Sequence, residues 1–386
     1  MGRMRIAMIG TKGIPAKWGG IEKYIEEVGA RLVERGHEVT VFGSRWFCRD
    51  HGGTTCNGIL IKALPVIPLK ATAALQNAFL ASMLVALGDY DIANFHGYAS
   101  YVFLPAIRRT GKVTVVTAHG VESGWMNPKY GSLERSVIRQ AFKVGVTQAD
   151  SVTTVADHLR MKLRKDFAVD AQVMPSGLDD VVACPAQIIQ EKYRLDGLDY
   201  LLFLGRIDPI KRVDWLLDLP QVLPKEVKIV IAGGAQDPAT KAYFQSLRQR
   251  SAACSQVIFT GPVSGREKAE LLSNCLALLA PSQDEGLPIT LLEALSYERF
   301  CIASRIPAHN EVIESGISGF LFPRDNKDAF MDIVKQVIQK PKESITAAGA
   351  QAKMHVAEKF NWARTAERLE ALFENLSGNR NRPGDQ

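Results

Sequence analysis

Three stretches of the 386-residue chain combine residue types that could handle a phosphorylated ligand. The most specific is Glu285-Gly286-Leu287-Pro288-Ile289-Thr290-Leu291-Leu292-Glu293. Gly and Pro at its entry, then Leu291, Leu292, Ala294 and Leu295, predict a helix starting at about residue 287. Eight residues of helix span roughly 12 Å, so the two carboxylates suit the two ends of an extended ligand rather than one reacting atom. Free N–H groups at the helix start would lie between them, where a diphosphate would sit. The second stretch is Gly205-Arg206-Ile207-Asp208-Pro209-Ile210-Lys211-Arg212. A guanidinium grips two phosphate oxygens and an ammonium supplies a compact charge; the alternative is a solvated loop with Asp208 paired to a neighbour. The third, Gly10 to Gly20, runs from a strand into a helix and includes four glycines. It spells neither a dinucleotide fingerprint nor a P-loop, and is equally compatible with phosphate binding and a tight turn.

These stretches need rigid elements to hold them. Apolar runs at Arg5–Gly10, Glu38–Phe42, Ile59–Leu64, Asp91–Phe95, Val113–Thr117 and Ser151–Val155 read as strands, with helical text between them. The helix Gly20–Gly36 turns Ile21, Tyr24, Ile25, Val28 and Leu32 inward and Glu22, Lys23, Glu26, Glu27 and Arg31 outward. A second series follows at Tyr200–Gly205, Lys228–Ala232, Val257–Thr260, Ala277–Ala280 and Cys301–Ala303. Such alternation implies parallel sheets with right-handed crossovers. The chain therefore reads as two Rossmann-like α/β domains, 1–180 and 181–361, with a linker near 176–198. A last helix at Trp362–Leu376 and a frayed polar end at Ser377–Gln386 complete the 362–386 tail. Ligands in such sheets bind beyond the carboxyl ends of the strands, so two facing domains are expected to make one cleft.

Composition excludes other classes. With 46% apolar and 23% charged residues the chain is neither disordered nor a disulfide scaffold. Its net charge of +6 sits wholly before residue 181, with 22 basic against 16 acidic side chains there and 25 against 25 after it. That excess suits an anionic glycan, phosphate or membrane surface; without an Arg-rich stripe it does not suit nucleic acid. Six cysteines without a Cys-x-x-Cys pair read as reduced thiols of a cytoplasmic protein. Cys48, His51 and Cys56 lack a fourth metal ligand. Asp89-Tyr90-Asp91 imitates an Asp-x-Asp metal motif but precedes a buried strand without a second carboxylate cluster, so it reads as a capping turn, and no metal or other cofactor is expected. Eighteen uncharged residues, Ala71–Gly88, read as a buried helix rather than a membrane span, because Ala dominates and Gln76, Asn77 and Ser82 interrupt.

The motifs together resemble the GT-B glycosyltransferases of family 4, retaining enzymes that use nucleotide-sugar donors. Glu285 and Glu293 match the family's glutamate–seven residues–glutamate motif, and Arg206 and Lys211 match its Gly-Arg-x4-Lys motif. The opening Gly10-Thr-Lys-Gly-Ile-Pro-Ala-Lys-Trp-Gly-Gly-Ile-Glu22 is similar to a bacterial rhamnosyltransferase-like subgroup. The resemblance implies two facing Rossmann-like domains, with the helix after Phe360-Asn361-Trp362 crossing back to the first. It implies that Arg206 and Lys211 hold the diphosphate and that Gly19 and Gly20 close over it. Glu293 then binds the ribose, Glu285 the transferred sugar, Gly286, Leu287 and Pro288 line the donor site, and Thr260–Val263 borders the base. His119, in Thr117-Ala118-His119-Gly120, falls at an active-site position, and His96, in Asn94-Phe95-His96-Gly97, on the acceptor side; the alternative for each is a strand-end histidine bonded to backbone. Pro175-Ser176-Gly177-Leu178-Asp179 departs from the family's pattern in having Ser for Asn, and 122–130, expected to face the acceptor, follows the subgroup only loosely.

The expected activity is sugar transfer to a glycan or lipid-linked glycan in surface polysaccharide synthesis. Peripheral contact with anionic membrane through Leu104–Lys112 and His158–Lys165 is a further expectation. Rival readings are a nucleotide-sugar epimerase, which should lack the glutamate-spaced helix, and a degenerate transferase kept for glycan binding, which should have lost His119, Glu285 or the basic pair.

Overall fold

Strands buried on both faces need uninterrupted apolar text, and that text becomes two parallel sheets. The computed structural model describes residues 2–16, 19–48, 54–69, 72–121, 131–235 and 238–380. The chain forms two compact units, one of Met1–Ser176 with Asn361–Gln386 and one of Gly177–Phe360.

The first unit holds β1 (Arg5–Ile9), β2 (Glu38–Ser44), β3 (Thr55–Cys56), β4 (Ile59–Leu64), β5 (Ile92–Phe95), β6 (Val113–Ala118), β7 (Ser151–Thr154) and β8 (Gln172–Val173). Their order is β3-β4-β2-β1-β5-β6-β7-β8, parallel except for the β3–β4 pair. The second unit holds β9 (Tyr200–Leu204), β10 (Lys228–Ala232), β11 (Val257–Gly261), β12 (Ala277–Ala280), β13 (Phe300–Arg305) and β14 (Phe320–Pro323), in the order β11-β10-β9-β12-β13-β14. In each sheet the chain first builds outward on one side and then restarts on the other. The reversals fall between β1 and β5 and between β9 and β12, and the carboxyl ends there are where ligands of such sheets bind.

At the first reversal the loops touch. Gly10 has φ +95°, and a Cβ on Gly97 would lie 2.3 Å from the Gly10 carbonyl oxygen, so no side chain fits between them. The C-terminal helix Trp362–Arg380 packs on the helix Gly20–Glu34 of the same unit. Its buried Glu370 accepts from His37 Nε2 at 2.7 Å and pairs with Arg35, and the Trp362 ring lies 5.9 Å from that of Tyr24.

Four expectations need correction. The helix at 73–87 is not buried: Asn77, Ala78, Ala81, Ser82 and Val85 face inward, while Leu75, Phe79, Met83, Leu84 and Leu87 stand in solvent. Glu22 is not on an outer face but buried. The last helix does not fray at Ser377 but continues to Arg380. Asp89 and Asp91 do not cap a turn; they clasp Arg5, Asp91 Oδ2 accepting from its backbone N–H at 2.7 Å. The metal reading of Cys48 and Cys56 required His51, which lies outside the described residues; Cys56 Sγ instead sits 3.6 Å from Glu26 Oε1.

Candidate active site

In the second unit the loop after β9 is fixed by backbone. Ile207 is fully buried, and its N–H donates to the Gly234 carbonyl at 3.1 Å. Gly233 passes so close to Gly205 that a Cβ would come within 1.7 Å of the Gly205 carbonyl oxygen. Between these anchors Arg206 is exposed. Among the described residues Asp208 pairs with no cation; its carboxylate accepts from the Ile210 N–H at 3.2 Å and caps the 3-10 turn Pro209–Lys211 that carries Lys211. The loop after β12 docks here, with the Gln283 N–H donating to the Ile210 carbonyl at 2.8 Å.

Docking brings together residues far apart in sequence. The Lys211 ammonium bonds Glu285 Oε1, and the Ser282 hydroxyl donates to the same oxygen at 2.9 Å. Burial alone would raise the Glu285 carboxyl; Lys211 and Ser282 outweigh it and hold the group below the usual carboxylate value. His309, fully buried, is electrostatically coupled to both. Its Nδ1 lies 2.8 Å from the Ser304 carbonyl oxygen. The Ser304 hydroxyl donates to the Ser282 carbonyl, so Nδ1 carries the imidazole proton and Nε2 is a bare acceptor, without a partner among the described residues. Burial lowers the His309 pKa to about 4, which keeps the ring neutral.

Glu293 also holds an ammonium. It is buried on the helix Ile289–Ser296, with Lys268 Nζ at 2.6 Å. That helix starts at 289 rather than 287, because proline disfavours the helical conformation in the residue before it, here Leu287. Glu285 therefore stands in the loop four residues ahead, placed by Lys211 and Ser282 rather than by helical rise, and Gly286, Leu287 and Pro288 form the turn between the carboxylates. Val263, just past β11, packs partly buried against the core.

In the first unit His96 and His119 follow β5 and β6, with His96 Nδ1 3.1 Å from His119 Nε2. The Tyr24 ring stacks edge-on against His119 at 5.0 Å. Burial lowers both imidazoles, His119 to about 3. The strand-end alternative expected bonds to backbone; among the described residues the two rings address each other, and His96 Nε2 is buried without a partner. Gly19 has φ +115° and precedes the helix that begins at Gly20. Glu22 folds back onto the opening loop, accepting from the Thr11 hydroxyl at 3.2 Å and the Lys12 N–H at 3.3 Å. Residues 17–18 and 122–130 lie outside the described residues.

The structure thus joins Lys211 with Glu285 and His96 with His119, and adds Ser282, His309, Lys268 and Tyr24, which sequence reasoning missed. Nothing in local spacing signals Lys268 or His309. Each is an ordinary helix or turn residue until tertiary contacts bring it to a carboxylate.

Comparison with known proteins gives the same architecture. Residues 18–181 match the family model described as Glycosyltransferase Family 4, and residues 199–340 the one described as Glycosyl transferases group 1. The chain is 24% identical to D-inositol 3-phosphate glycosyltransferase 1 of Catenulispora acidiphila, over 95% of this chain and 93% of that protein. It is 26% identical to the GDP-mannose-dependent alpha-(1-6)-phosphatidylinositol monomannoside mannosyltransferase of Mycobacterium tuberculosis, over 95% and 97%. The structure of sucrose-phosphate synthase from Thermosynechococcus elongatus superposes with a TM-score of 0.83 at 19% identity, covering 98% of this chain and 100% of that one, which places the fold in the GT-B class.

Proposed function

Because the chain is a glycosyltransferase, with a family 4 domain followed by a group 1 domain, we propose that it moves a sugar from a nucleoside-diphosphate sugar to a glycan or lipid-linked glycan acceptor, with retention at the transferred carbon, in bacterial cell-surface polysaccharide synthesis. The observation that carries this reading is the convergence of Lys211, Glu285 and Ser282 on the loops after β9 and β12, the first of which also carries exposed Arg206. In this reading Arg206 and Lys211 neutralise the departing diphosphate, and the turn Gly286-Leu287-Pro288 offers the amides of the following helix start. Glu293 takes the ribose hydroxyls, Glu285 the transferred sugar, and Val263 borders the base.

In the first unit, Gly19 and Gly20 contribute to donor binding, and His119 and His96 work on the acceptor side as neutral imidazoles able to accept a proton or hydrogen bond. Fixed cations meet the leaving charge, so the reading assigns no metal. The opening motif Gly10 to Glu22 keeps the rhamnosyltransferase-like subgroup as the finer assignment, and the lipid-borne acceptor named for the mycobacterial relative supports a lipid-linked one here.

The test is release of nucleoside diphosphate from a panel of nucleotide sugars, with and without acceptor extract. Arg206→Ala and Lys211→Ala should each lower turnover at least about tenfold, the loss of one charge-assisted contact of about 1.5–3 kcal/mol. The wild type should stay active in EDTA. Full activity of the double variant, or dependence on added divalent metal, overturns the assignment.

A further inference from the structure

The helix Ala73–Leu87 carries no charged side chain, yet only one of its sides is covered. Leu75, Phe79, Met83 and Leu87 recur every four residues along the open side, joined by Leu84, and Leu87 is 82% exposed. Single exposed leucines are ordinary; a contiguous row marks an interaction surface. The row continues beyond the start of the helix and sideways from its middle. Exposed Ile67 and Leu69 fold against its start, where the Ile67 N–H donates to Gln76 Oε1 at 3.1 Å and the Leu69 carbonyl accepts from the Ala73 N–H at 2.9 Å. The Phe79 ring meets Phe103 at 5.7 Å, next to exposed Val102.

Cations border this apolar row. The short helix Leu104–Arg108 packs against it and leads to exposed Arg109. Lys112 Nζ reaches the Ala86 carbonyl, at the far end of the long helix, at 3.4 Å. Arg108 is partly spent on Asp150 at 3.1 Å. In the other basic stretch, the helix Asp157–Phe167, two of the four cations are paired within the helix, Arg160 with Asp157 and Lys162 with Asp166.

We propose that the open face of the 73–87 helix is a docking surface for an anionic lipid bilayer. It lies in the plane of the membrane, with Phe79, Met83 and Leu87 among the upper acyl chains and Arg109 and Lys112 against lipid phosphates. No helix among the described residues is long and apolar enough to cross a membrane, so the contact is lateral. A lipid occupant fits better than a protein because the row offers no polar group to set the register of a partner, while its cations sit at the rim where headgroups would be. The same unit carries the chain's whole excess of basic residues.

The test uses the full chain and flotation, and reads no sugar transfer, so its failure leaves the transferase reading untouched. Vesicles of phosphatidylcholine alone are compared with vesicles of two parts phosphatidylcholine to one part phosphatidylglycerol, across a salt series. The wild type should float with the anionic vesicles and be released by salt. Phe79→Gln with Met83→Gln should weaken partition at least about tenfold, and Arg109→Glu with Lys112→Glu should abolish the preference for anionic lipid. All these side chains are solvent-facing or at the border, so thermal unfolding of both variants should match the wild type and exclude misfolding as the cause. Absence of flotation with either vesicle, or unchanged partition of the double Gln variant, overturns the proposal. A wild-type dimer in light scattering that the Gln variant disperses, without vesicle binding, would assign the face to a second copy and overturn it equally.

Discussion

Replacing Glu285 and Glu293 by Gln one at a time should produce different failures, and the structure sets their sizes. Glu293 is buried with Lys268 as its cation. Glu293→Gln keeps the shape but exchanges a charged acceptor for a neutral one where the proposed reading puts the ribose hydroxyls. A charge-assisted bond contributes about 1.5–3 kcal/mol, so affinity for the free nucleoside diphosphate should fall about 10- to 150-fold. Glu285→Gln keeps a carbonyl oxygen to accept from Ser282 but dissolves the ion pair with Lys211. The freed ammonium then has only the diphosphate to neutralise. Affinity for the nucleoside diphosphate, which carries no sugar, should therefore hold within about threefold or rise, while transfer falls by about 100-fold or more. Calorimetric titration with the nucleoside diphosphate beside a turnover assay separates the two effects. Equal loss of nucleotide affinity in both variants would mean that the ligand runs the other way between the carboxylates. Small, similar effects on both quantities would mean that the glutamates are only structural.

Three further outcomes are expected. His119 and His309 have folded-state pKa values of about 3 and about 4, both below the ordinary imidazole value of about 6.5. The unfolded chain therefore binds more protons below that value, and stability is lost as pH falls from about 6.5. At about pH 5 each should cost about 2 kcal/mol, read by urea unfolding at the two pH values; identical midpoints would refute the neutral, buried assignment. Gly233→Ala should push the Gly205–Arg206 backbone out of place, since φ is +147° and the new Cβ overlaps the Gly205 carbonyl; a loss of about 2–4 kcal/mol in thermal unfolding and weakened nucleotide binding are expected, and a silent substitution would be contrary. Glu370→Gln should leave Arg35 and His37 without their shared carboxylate and lower stability by about 3 kcal/mol, with faster proteolysis near Asn361; unchanged urea unfolding would show that the helix is held by its apolar face alone.

Strands were legible where both faces are buried. Lys228–Ala232 and Ala277–Ala280 begin and end where the sequence reading put them. The two-residue strands β3 and β8 have too little text to carry a period, and β14 was missed beside Gly319, whose φ of +156° breaks the pattern just before it. The 73–87 helix failed differently: it is apolar nearly all round, so periodicity gave no information about which side is covered. Glu22 looked solvated because a charge on a helix normally is. Only the fold shows the Thr11 hydroxyl and Lys12 amide waiting for it.

The glutamate motif was readable as a motif, but its mechanics were not. Spacing suggested a rigid helical ruler, whereas the proline at 288 ends the helix short of Glu285 and leaves that carboxylate to a lysine 74 residues upstream. The consequence is chemical. A carboxylate set by helical rise would face an incoming diphosphate as an uncompensated negative charge. Paired with Lys211, Glu285 carries its own counter-ion, and the ammonium is held in place before a ligand arrives instead of sweeping through solvent. Little ordering entropy then remains to be lost on binding, which is how a cation contributes most to a developing charge. The same logic holds at Glu293 with Lys268. Both acids of the motif thus come with a lysine supplied by a different element, and in the proposed reading Lys211, as much as Glu285, sets where the diphosphate rests.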